Sequence, residues 1–96
     1  MVQRIPVDVI SLCSAAGEIR PLRLRVEDAR RELRRADVAQ ILRVKQVPFV
    51  GVEAYQFLCR VSWEGKQGVL ELEYDIRSHQ WVLLGESTGN PRMTVV

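Results

Sequence analysis

Between Ala54 and Ile76 the chain alternates apolar and polar residues on both sides of a glycine-bearing turn, and few patterns restrict a fold so tightly. In AYQFLCRVSW (54–63), Tyr55, Phe57, Cys59, Val61 and Trp63 fall on one side, and Gln56, Leu58, Arg60 and Ser62 on the other. EGKQG (64–68) is a turn. VLELEYDI (69–76) then sets Leu70, Leu72, Tyr74 and Ile76 against Glu71, Glu73 and Asp75. A helix would scatter these residues around its circumference, whereas a strand gathers every second one on a single face. DIRSHQ (75–80) turns the chain again, and WVLLG (81–85) is a third short strand, apolar on both faces. Three strands joined by short turns make an antiparallel meander.

The N-terminal part carries the same signal. IPVDVISL (5–12) is β-branched and apolar with Asp8 breaking the run, which predicts a strand. In the following SAAGEI, Ser14 suits the start of a turn and Gly17 the left-handed position that closes a short hairpin. IRPLRLRV (19–26) alternates strictly, with Leu22, Leu24 and Val26 opposite Arg23 and Arg25. Pro21 lacks a backbone donor, so this strand begins there or lies at an edge.

The stretch VEDARRELRRADVAQILRV (26–44) pulls two ways. Its Ala, Leu, Arg and Glu favour a helix, with Asp28 as N-cap and Glu27 near the positive end of the dipole. Against this, Leu33 is the one large apolar residue between Glu27 and Asp37. The stripe of Ala29, Leu33 and Ala36 is too weak to hold a short helix by packing. The like-charge pairs Arg30/Arg34 and Arg31/Arg35 oppose it further, but Glu27 and Asp28 compensate Arg31, so charge leaves both readings open.

VDVISLCSAAGEIRPLRLR, then VED followed by EL and a strand, then FLCRV…LELEYDIRSHQWVLL together resemble a family of small, functionally uncharacterised bacterial all-β proteins. The resemblance covers roughly residues 5–85. It implies a turn between two strands at 27–31, where the pattern favours glycine near Arg31 and apolar residues near Arg35, Ala36 and Val38. It carries no activity, cofactor or site. The expected fold is therefore all-β: a small antiparallel barrel or curved sheet of five to six strands at 5–12, 19–26, 32–39, 54–63, 69–76 and 80–85. The alternative is α+β with one helix near 28–42. Residues 40–53 would be a longer connection, with a helical turn or a strand extension. Residues 1–86 would form a single domain and 87–96 a flexible tail.

Ninety-six residues allow one domain with one thin core. The first residues, MVQRIP, place a charge and a proline ahead of any apolar run, unlike a signal peptide. No stretch approaches the ~20 apolar residues of a membrane span. A cytoplasmic protein with no membrane partner is expected. Cys13 and Cys59 would then be reduced and buried as small hydrophobes. With His79 as the lone histidine and no paired cysteines, neither a metal nor another cofactor is expected.

The function classes follow from the same residues. His79 falls in a turn, so a histidine-dependent nucleophile is not expected. The row Glu71, Glu73, Asp75 reads as a solvated sheet face. The chain is expected not to be an enzyme. Residues 20–45 carry nine basic and four acidic side chains, a net +5 in a chain of net +2. If strands 19–26 and 32–39 pair, Arg23, Arg25 and Arg35 share an outer face and, with Arg34, could contact nucleic acid. Tyr55, Phe57, Trp63 and Tyr74 already belong to the core, which weakens that alternative. Leu58, Val69 and the pair Val82/Leu84, or Trp81/Leu83 in its place, exceed what one face can hide, and VPFVGV (47–52) adds a further apolar run. Such a surplus points to a protein-binding or self-associating module, a homodimer through Leu58, Val69, Val82 and Leu84 being the simplest form.

Overall fold

A chain whose strands each have one apolar face can bury those faces by rolling the sheet on itself, which also pairs its edges. The computed structural model describes residues 4–27, 30–48 and 52–84 and shows that solution. Six strands run in chain order: β1 (Arg4–Cys13), β2 (Ile19–Glu27), β3 (Leu33–Pro48), β4 (Val52–Trp63), β5 (Lys66–Asp75) and β6 (Gln80–Leu84). Each is antiparallel to the next, and β6 returns to β1 to close a barrel. The predicted tail 87–96 lies outside the described residues. Among the described residues no helix is long and apolar enough to cross a membrane.

The alternation of β4 and β5 translates directly into register. Phe57 lies opposite Leu72, Cys59 opposite Leu70 and Tyr55 opposite Tyr74. Phe57, Cys59, Val61 and Leu72 are fully buried with Leu24 and Leu83. On β6, apolar on both faces, Trp81 and Leu83 turn inward, opposite Tyr74 and Leu72. Phe57, Trp81 and Tyr74 pack in a tilted row, with ring centroids 5.6 Å and 4.8 Å apart.

The turns follow the residues that build them. The Ser14 carbonyl accepts from the Gly17 amide and the Ser14 hydroxyl from the Glu18 amide, with Gly17 left-handed at φ 87°. Glu64 and Gly65, both at positive φ, form the two-residue turn between β4 and β5. The Asp75 carboxylate accepts from the Arg77 and Ser78 amides. These bonds hold that carboxyl below its ordinary pKa.

The arginine-rich stretch is a hairpin, and the helix near 28–42 is not formed: β3 occupies 33–48. β2 and β3 pair from Glu27/Leu33 to Arg23/Asp37. Ala36 is buried opposite Leu24, while Leu33 is 60% exposed, so the residue a helix would most need to bury stays in solvent. Arg31 has φ 66°, a conformation easiest for glycine. Part of the segment predicted as a connection, 40–53, is a strand extension: β3 runs on to Pro48 against β4. Register shifts at Val38/Gln40 and Ile41/Arg43 leave Ala39 and Leu42 as bulge residues.

Three expectations fail. Leu22 does not share the inner face of Leu24 and Val26: it is exposed at a register shift, and Pro21 is buried instead. Cys13 is exposed, at the end of β1 where the chain turns into β2. Glu73 is 9% exposed, the one buried charged side chain among the described residues. It faces outward beside Gln56 and Val82, but Arg4 and Gln56 lie over it.

Candidate binding cleft between β2 and β3

The barrel is unevenly laced. β2 bonds β3 over Arg23–Glu27 but has no β3 partner over Ile19–Leu22. Among the described residues, β3 from Val38 to Pro48 is paired with β4 alone. The two strands part at that point, so among the described residues each presents an unpaired edge toward the other. Where they part, Pro21 has no N–H to donate, Leu22 is skipped in the register of β2, and Ala39 and Leu42 bulge from β3.

The gap is a cleft of about 710 Å³. Leu12, Ser14, Gly17, Glu18, Ile19 and Arg20 of the first hairpin form one wall. Ile41, Val44 and Gln46 of β3 form the other, and Tyr55 and Phe57 of β4 form the floor. Val44 lies opposite Phe57 and Gln46 opposite Tyr55, so both point to the barrel's inner side. Val44 is 53% exposed and Leu12 also shows much of its surface, although both line this cleft. Leu22 and Leu42, on the unpaired stretches of the same two strands, are exposed too. Arg43 and Lys45 alternate with Val44 and point outward.

The residues singled out from the sequence are placed as follows. Arg23, Arg25 and Arg35 do share an outer face, with Arg25 opposite Arg35. Carboxylates accompany them: Arg23 bonds Asp37 at 2.8 Å and Arg25 bonds Asp8 at 2.6 Å. Arg34 sits on the other side of β3 and bridges Glu32 and Glu64. The four arginines thus do not form one site. Leu58, Val69 and Val82 are half-buried, and Leu84 is 4% exposed. Neither set lines the cleft. His79 stands exposed in the β5–β6 turn, its Nδ1 2.9 Å from the Tyr74 hydroxyl.

The sequence reading missed the cleft because its marker is a pairing that stops. Pro21 was the one local sign, since it flags an edge. Comparison with protein-family models, with curated proteins and with solved structures gives no match for this chain.

Proposed function

We propose that this barrel is a non-enzymatic protein-binding module that takes an extended segment of a partner into the β2–β3 cleft as an added strand. The observation that carries the reading is the pair of strand edges, unpaired among the described residues, that face each other across an apolar floor. Unpaired edges offer backbone donors and acceptors to an incoming strand, with no donor at Pro21 of β2, and pockets beside them read its alternate side chains. The described edges suit a short segment. Ile19–Leu22 spans four residues, and Arg43–Val47, the regular stretch between two register shifts of β3, spans five. At about 3.3 Å per residue this is roughly 13–17 Å of partner chain.

Nucleic acid is the weaker reading. Arg23, Arg25 and Arg34 already engage carboxylates, and Phe57 is too deeply buried to stack on a base. Calorimetric titration with five-residue extended peptides, paired with amide hydrogen exchange, tests the proposal. Binding should slow exchange at residues 19, 20 and 22 and along 43–47, and leave the rest unchanged. Val44→Arg should abolish it without loss of stability, because Val44 is half in solvent already. Protection confined to the arginine face of β2 and β3 would overturn the reading.

A further inference from the structure

Resting on the strand-insertion reading, we infer that the segment the cleft takes alternates apolar and acidic residues. In a sheet, side chains on one face of neighbouring strands stand about 4.5–5.5 Å apart at Cβ and select one another. A strand laid against Arg43–Val47 has one set of side chains beside Val44 and Gln46, over Phe57 and Tyr55. Its alternate set lies beside Arg43 and Lys45 on the outer face. The opposite wall adds the exposed guanidinium of Arg20.

The charges nearby favour an acidic occupant. Glu18 lines the same wall as Arg20, and Glu71 lies 3.6 Å from Arg43. Among the described residues, Lys45 and Arg20 have no carboxylate within salt-bridge distance. The rim is therefore left with positive charge that its own acids do not match. The same charges argue against a second copy of β3 as occupant. Antiparallel pairing of two β3 edges about a two-fold axis would bring Arg43 and Lys45 of each copy toward those of the other, and like charges directly opposite are unfavourable. Basic side chains and bulges are how edge strands resist pairing with their own kind.

The test uses four blocked peptides with the full chain: alternating Val-Glu-Val-Glu-Val, its Val-Thr and Val-Lys counterparts, and a sequence with the same valines and glutamates in blocks. A single-stranded ten-mer oligonucleotide is the fifth probe. The alternating acidic peptide should bind best, with affinity that falls as salt rises. Exchange protection should appear at 43–47. The double variant Arg20→Glu, Lys45→Glu should weaken the acidic peptide roughly tenfold and strengthen the Val-Lys peptide, the sum of two exposed pairs. Equal binding of the acidic and Val-Thr peptides, both with protection, would overturn the acidic preference and leave strand insertion standing. Absence of protection with every peptide would overturn both. Tighter binding of the oligonucleotide, lost in the same double variant, would assign the rim to nucleic acid instead.

Discussion

Glu73 shows how a single position can depart from its strand's pattern. Parity sends it outward between Glu71 and Asp75, yet Arg4 and Gln56 enclose it. Burial alone pushes its carboxyl up. The bonds from Arg4 and Gln56, with the charge of Arg4, outweigh that and hold it below the ordinary value. Arg4 moves the other way, raised by its bond to Glu73. A carboxyl lowered on folding stabilises the fold above its unfolded pKa, about 4.3. That contribution is lost as pH falls from there through the folded value. Denaturation of Glu73→Gln at a series of pH values should therefore show a shallower loss of stability below about pH 5 than the parent. Glu73→Ala should cost about 1–3 kcal/mol at neutral pH. Equal slopes for parent and Glu73→Gln would mean that the Arg4 contact does not persist in solution. The two cysteines make a second contrast. Burial pushes the Cys59 thiol up to about 12, whereas Cys13 is exposed. A polar thiol reagent should label one cysteine per native chain, at Cys13, and two after denaturation. Native labelling of Cys59 would place it outside the core.

At the scale of elements, the meander β4–β6 was legible because its period of two is unbroken and its turns carry glycine or aspartate. The hairpin β2–β3 was legible less directly: composition favoured helix, the weakness of the Leu33 stripe opposed it, and the resemblance over residues 5–85 tipped the balance. What the sequence did not mark was length. β3 runs well past 39 because Gln40–Val47 finds β4 as a neighbour, a long-range pairing that no local pattern announces. The open edges of the cleft went unseen for the same reason, as did Arg4 over Glu73, 69 residues apart. Only local consequences of these contacts, such as Pro21, could be read. Two predictions belong here. Arg31 holds a left-handed conformation in the β2–β3 turn, so Arg31→Gly should stabilise the chain by roughly 0.5–1 kcal/mol in urea denaturation. A loss instead would show that the turn is not left-handed there. Phe57→Ala should cost about 3–5 kcal/mol, since the ring is central to β4 and packs on Trp81. A cost under 1 kcal/mol would mean the inner face of β4 is wrongly assigned.

For the whole molecule, the distribution of exposed apolar surface decides what association to expect. The sequence suggested a two-fold contact on the outer face of β4–β6. There Leu84 is already covered, and Leu58, Val69 and Val82 are half-buried, which leaves little for a partner copy to hide. The large exposed apolar side chains among the described residues are Ile10, Leu12, Leu22, Leu33, Leu42 and Val44. Leu12 and Val44 line the cleft, and Leu22 and Leu42 lie on the unpaired stretches of β2 and β3 beside it. A stable dimer buries about 1,600 Å² in total. The charged β3 edge resists supplying that area to its own copy, as its two lysine and arginine side chains would face their mates. Sedimentation at micromolar concentration should therefore show an 11.0 kDa monomer. Adding the acidic peptide should leave it a one-to-one complex, because the cleft holds one segment. A dimer that Val82→Arg dissolves and Val44→Arg does not would restore the outer face of the meander as the interface. A dimer with the opposite response would make the cleft a site for a second copy and displace the acidic segment from it.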